Sequence, residues 1–107
     1  MDIGKLRDRV ELQRWVERED SYGQKIRTPV TYAHIWANVQ EVASAETIIA
    51  MQLAAGTTLI ISARWRDDVE ETHQIKFGQR VFGLTGRPVN PDGKKIEMII
   101  GAREWKG

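Results

Sequence analysis

Apolar and polar side chains alternate from Val10 to Glu17: Val10, Leu12, Arg14 and Val16 on one row, Glu11, Gln13, Trp15 and Glu17 on the other. A period of two predicts a half-buried strand. Glu19 to Gln24 contains Asp20, Ser21 and Gly23, a turn composition, and the polar stretch continues to Pro29. A second strand is expected over Tyr32–Val42, where Ile35, Ala37 and Val39 alternate with Trp36, Asn38 and Gln40. Neither of its faces is wholly apolar, so the pattern does not say which one is buried. The period then changes. Ser44 to Gly56 predicts the one helix, with Ser44 as N-cap, Glu46 in the first turn and Gly56 as stop. Ile48, Ile49, Met51 and Leu53 would form its apolar stripe against a sheet.

Thr57–Arg66 is the strongest strand pattern, with Leu59, Ile61, Ala63 and Trp65 on one face and Arg64 and Arg66 on the other. Thr72–Phe77 and Gln79–Thr85 read as short strands joined at Gly78 in a tight hairpin. Gly83 and Gly86 suggest a bulge or a close backbone approach. Arg87 to Gly93 is a loop with two prolines and an Asp-Gly pair, and Lys94–Trp105 is the last strand, with Ile96, Met98, Ile100 and Ala102 in one row. The expected fold is mainly β: a small antiparallel, β-barrel-like domain of about six strands with one inserted short α-helix. The expectation is one domain over 1–107, with a polar arm at 1–9 and mobile loops near 19–30 and 86–94.

Composition narrows the function more by exclusion than by positive signal. Of 107 residues, 41% are hydrophobic and 29% charged, which suits one modest globular core. The absence of cysteine rules out disulfides and thiolate metal sites. A net charge of +1 is low for a protein that neutralises many phosphates alone. Apolar runs such as Leu59-Ile60-Ile61 fall far short of the ~20 residues a membrane helix needs. The charged N-terminal segment has no signal-peptide pattern, so the chain is expected to stay in the compartment where it is made.

Candidate chemistry is sparse. His34 and His73 stand apart from any ligand motif and read as structural histidines. Asp67, Asp68, Glu70 and Glu71 form an acidic run without the spacing of a calcium loop, so a solvated hairpin end is expected. No serine sits in a nucleophile elbow, and no glycine pattern makes a phosphate loop. No catalytic residue, metal ligand or cofactor site is expected. Trp15, Trp36, Trp65 and Trp105 all fall in predicted strands and read mainly as caps on a small core, with Trp105 the first choice for a subunit contact. The basic groups are Lys5, Arg7 and Arg9 near the start, Arg64 with Arg66, and Arg87 with Lys94 and Lys95 around the proline-rich loop. They are candidates for ion pairing between subunits or for a lining beside DNA.

These residues also carry a family likeness. Ile3-Gly4-Lys5-Leu6-Arg7-Asp8-Arg9 resembles the opening Ile-Gly-x-Leu-Arg-x-Arg motif of the head–tail joining, or head-closure, proteins of tailed bacteriophages. Asp20-Ser21-Tyr22-Gly23, Ile35-Trp36-Ala37-Asn38-Val39, Ser44-Ala45-Glu46 and Arg64-Trp65-Arg66 follow in the family's order. Two positions depart from it: Ala45 stands where many relatives have glycine, and Gly83-Leu84 is a weak match to a Tyr-x-Ile strand. The resemblance implies a structural virion protein that forms or joins a ring at the head–tail connector. That ring closes the DNA-filled head and offers the tail an attachment surface. It implies as partners its own copies in twelvefold symmetry, the portal or head-side adaptor, and a tail-completion protein, with packaged DNA nearby, no membrane, and assembly in the bacterial cytoplasm. The expected contact residues are Arg64, Arg66, Trp105, Tyr22, Arg87, Lys94 and Lys95. A tail-terminator or tail-completion ring protein is the alternative, followed by a small OB-like nucleic-acid-binding module.

Overall fold

The computed structural model describes residues 6–91 and 93–104. Six strands and one helix follow in the order β1 (Asp8–Glu19), β2 (Lys25–Glu41), α1 (Ala45–Ala50), β3 (Leu59–Arg64), β4 (Gln74–Phe77), β5 (Arg80–Leu84) and β6 (Glu97–Glu104). All pairings are antiparallel. Neighbours run β1-β2-β3-β6-β5-β4, and β4 returns to β1.

The expected small antiparallel β-barrel-like domain is corrected by how unequal these pairings are. β4 meets β1 only from Glu11↔Lys76 to Gln13↔Gln74, and β5 meets β6 only from Phe82↔Glu104 to Leu84↔Ala102. The β1–β2 pair instead runs from Asp8↔Ala37 to Glu19↔Lys25. β3 leaves β2 at Ala37, so the far halves of β1 and β2 have no third strand. They project as a two-stranded ribbon, which gives the molecule its 48 × 25 × 25 Å outline. The architecture is a six-stranded, mainly β body with one short helix and a projecting ribbon.

Period-two patterning builds the body's core. Val10, Leu12, Ala37, Leu59, Ile61, Ala63, Ile75, Phe82, Met98, Ile100 and Ala102 all turn inward and are buried. Burying one such large side chain contributes about 1.5–3 kcal/mol. Phe82 is the largest fully buried side chain. Its neighbours across the strands tie β1, β4 and β5 together through the facing pairs Leu12↔Ile75 and Ile75↔Phe82. On the outer side, amides seal the short β4–β1 seam. Gln74 Nε2 donates to Gln13 Oε1, and Gln13 Nε2 donates to Thr31 Oγ1 at 3.0 Å. Satisfied in this way, Gln13 and Gln74 tolerate burial.

A β-bulge explains why the second strand has no clear apolar face. Leu12 pairs with Ala33 and Gln13 with Thr31, leaving Tyr32 as the extra residue. The extra residue shifts the alternation of β2 by one. Ala37, Ile35 and Ala33 therefore share a row with Val30, Thr28 and Ile26.

Other expectations are also adjusted. The helix does not run from Ser44 to Ala55 but covers Ala45–Ala50, with Ser44 accepting from the Thr47 amide as N-cap. None of its residues is buried, and Ile49 is 76% exposed, so no stripe packs on the sheet. Residues 25–30 belong to β2, and the connection from β1 is confined to residues 20–24. Asp8 is already in β1, where its carboxylate accepts from the Val39 amide at 2.9 Å. Gly78 turns the β4–β5 hairpin with φ +61°. A single positive φ, at the first central position, is the II′ pattern. Gly83 sits in regular register between Gln74 and Arg103. The close backbone approach falls instead at Gly101, where a Cβ would stand 2.8 Å from Thr85 Oγ1 and 3.0 Å from Thr57 Oγ1.

Candidate functional site

The ribbon projects from the packed body, and the loop between β3 and β4 lies at its root, anchored in the core by Val69. The ribbon ends in a turn organised by Asp20. Its Oδ1 accepts from the Tyr22 and Gln24 amides, both at 2.9 Å, while its own amide donates to Gln24 O at 2.9 Å. An aspartate suits this role because its short side chain can cap two successive amides. Gly23 supplies the positive φ of +77° that closes the turn. The result holds Tyr22 outward, 89% exposed. Along the shaft, the Arg27 guanidinium lies 5.7 Å from the Trp15 ring centroid, a cation–π contact.

At the root, the bulged Tyr32 reaches the loop. Its hydroxyl donates to His73 Nδ1 at 2.9 Å, and the two rings meet edge to face at 5.2 Å. The Glu70 amide also donates to that nitrogen, at 3.3 Å. Two donors on Nδ1 call for the tautomer with its proton on Nε2, which faces the Glu70 carboxylate at 3.6 Å. Burial pushes the Tyr32 hydroxyl up to about 12, and the Asp68 and Glu70 carboxylates add to the rise against Arg66 and Arg14.

Within the loop, Arg66 and Asp68 form a two-point pair at 2.9 and 2.8 Å. The hydrogen bonds from Arg66 hold the Asp68 carboxyl below the ordinary carboxylate range. Asp67 accepts from Trp65 Nε1 at 2.8 Å and lies 3.6 Å from Lys95 Nζ. Between this loop and Arg87–Pro88 lies an open cleft of about 420 Å³, with Trp65, Val69 and Pro88 among its walls and Glu70 and Glu71 beside them.

The sequence-derived candidates are therefore divided. Arg66, Arg87 and Lys95 gather around the cleft, and Tyr22 stands alone at the far end of the ribbon. Arg64 closes β3 and is exposed, whereas Arg66 lies beyond the strand with its guanidinium engaged by Asp68. Lys94 is exposed in the loop before β6. Trp105 lies outside the described residues. Trp36 sits on the outer face, 53% exposed, with Arg9 stacked at 5.0 Å. Sequence reasoning missed Arg14, Arg18 and Ile26 on the ribbon. Their signal was the alternation Ile26, Thr28, Val30 opposite Arg18, Val16, Arg14, hidden by the polar residues between.

Comparison with known proteins matches residues 1–104 to the family described as phage head completion protein. Among solved structures, the chain is similar to protein SF1141 from Shigella flexneri 2a, determined in solution. The two are 33% identical with a TM-score of 0.77, over 99% of this chain and 98% of that one. It is also similar to a chain in the virion of a native gene transfer agent particle, with a TM-score of 0.62 over 92% of this chain and 94% of that one. At 14% identity that second likeness concerns the fold alone. No curated protein matches. With nearly its whole length matched, the chain belongs to the phage head completion proteins, structural components of the virion's head–tail connector region that act by joining other components rather than by catalysis.

Proposed function

We propose that this protein forms or joins a ring at the connector, closing the filled head and presenting the surface on which the tail docks. The family match over residues 1–104 carries this reading. The shape supports it: a rigid body positions a ribbon and a cleft loop, which are suitable surfaces for neighbours. Ring subunits meet through two different patches in a head-to-tail contact that closes after a fixed rotation. The proposed partners are its own copies, twelve per connector, with the portal or head-side adaptor on one side and a tail-completion protein on the other. Assembly takes place in the host cytoplasm. Packaged DNA lies close by and is met through diffuse charge, without base readout. Tyr22, Arg64, Arg66, Arg87, Lys94 and Lys95 are the contact candidates, and Arg64 is the sharpest because it is exposed on a rigid strand end.

Electron microscopy of particles assembled with and without the protein tests this reading. Heads lacking it should lose DNA or fail to take tails. Filled heads that keep their DNA and accept tails without it would refute the proposal. Arg64→Glu should impair docking while the isolated domain melts normally.

A further inference from the structure

Facing residues of an antiparallel pair project to the same side. On the ribbon, one face therefore carries Arg14, Val16, Arg18, Ile26, Thr28 and Val30. This row continues Val10 and Leu12, which are buried in the body; Arg14 at its root lines a pocket with Asp68, Glu70 and His73 of the same chain, and beyond Arg14 no third strand flanks the ribbon. Ile26 is 42% exposed. The face bears two arginines and no carboxylate. Among the described residues, the shielded hydroxyl of Thr28 finds no hydrogen-bond partner.

The cleft beside Arg87 has the opposite character. Its apolar walls are Trp65, Val69 and Pro88, and its carboxylates are Asp67, Glu70 and Glu71. The Asp67 and Glu70 side chains are 77% and 74% exposed. Of the two guanidiniums there, Arg66 is already engaged by Asp68, which leaves Arg87 against three carboxylates. Lys95 touches the rim only at 3.6 Å from Asp67.

The geometry points to a heterologous contact in which the Val16–Arg18–Ile26 face of one copy lies on the Trp65–Val69–Glu71 cleft of the next. Charge complementarity selects the occupant: an apolar strip bearing Arg18 and no carboxylate meets an apolar cleft flanked by carboxylates. Of this face, only the root, at Arg14, reaches the acidic loop of its own chain. At about 3.4 Å per residue, Arg18 stands ~14 Å beyond Arg14 along an extended strand that leads away from the body. Donor and acceptor patches on one chain that do not meet each other are what a ring subunit requires.

This inference rests on the ring reading, and the test separates the two. The chain has no cysteine. A variant carrying both Ile26→Cys and Glu71→Cys, assembled into particles and mildly oxidised, should give a ladder of disulfide-linked multimers. Either single-cysteine variant should give no ladder. Independently, Arg18→Glu and Glu71→Arg should each reduce incorporation at least tenfold, and the chain carrying both should recover it. All three positions are exposed, and unchanged melting confirms that the variants fold. Particles holding several copies but giving no ladder, or a double charge swap that fails to recover incorporation, overturn the contact and leave the ring reading standing. A single copy per particle overturns both.

Discussion

Replacing Gly101 with alanine tests whether the close approach under β6 is real. Gly101 is buried and lacks the positive φ that would itself exclude a side chain. The outcome therefore depends on space. A Cβ would enter a site bounded by Thr85 Oγ1 at 2.8 Å, Thr57 Oγ1 at 3.0 Å and Thr57 Cγ2 at 3.2 Å. The two hydroxyls are also bonded to each other at 2.7 Å, and Thr57 Oγ1 contacts Ala54 O at 2.7 Å. Overpacking a rigid site costs about 1–3 kcal/mol. Parting the two threonines costs about 1 kcal/mol more. Against this, alanine restricts the unfolded chain, a gain of about 0.4–1 kcal/mol. The net loss is about 2 kcal/mol. With an unfolding entropy of ~2.1 cal/mol/K per residue over 107 residues, Tm falls by about 9 °C. Calorimetry measures the shift. Adding Thr85→Ala removes the nearest obstacle, so the double variant should be more stable than the sum of the singles predicts. A Gly101→Ala protein that melts within a degree of the parent, or two substitutions that simply add, would refute the reasoning.

Phe82→Ala, which empties the centre of the core, should cost about 3–5 kcal/mol and leave little folded protein at 37 °C by circular dichroism. Gly78→Ala meets no atom within 4 Å, so its cost is the positive φ alone, about 1 kcal/mol in urea unfolding. In a Tyr22→Phe protein, Tyr32 is the remaining tyrosine, and its phenolate absorbance should appear only near about 12. Because folding raises this pKa, the contribution is full below the unfolded value of about 10 and fades as pH climbs towards 12. The Arg66–Asp68 pair has the opposite sign: the depressed carboxyl contributes above its unfolded value and loses that contribution as acid protonates it, so Arg66→Met should flatten the acid limb of a stability–pH curve.

What was legible in the chain was whatever alternates against a core. Leu59, Ile61 and Ala63, and Met98, Ile100 and Ala102, are inward rows in both the pattern and the fold. Lys25–Val30 read as loop because a ribbon without a third strand needs no strong contrast between its faces. The bulge at Tyr32 then moved the buried row of β2 by one residue, so no single alternation spans that strand. The helix failed differently. Local preferences correctly placed Ser44 as its cap, but whether Ile48 and Ile49 meet a sheet depends on tertiary packing that propensity does not encode. The cleft was partly visible as an acidic run. The Arg66–Asp68 pair within it was not, since it depends on how the chain turns after β3.

The long second strand has a kinetic consequence. Lys25–Glu41 is covalently one element, yet its two ends experience different free energies of opening. The amide of Ala37, set between β1 and β3, exchanges with solvent only when the body opens. Amides near Ile26 and Thr28 exchange when two strands merely part. Deuterium uptake should therefore form a gradient along a single strand in the free protein. Seating the ribbon on a neighbour would level that gradient, making exchange along β2 a readout of assembly from inside one chain.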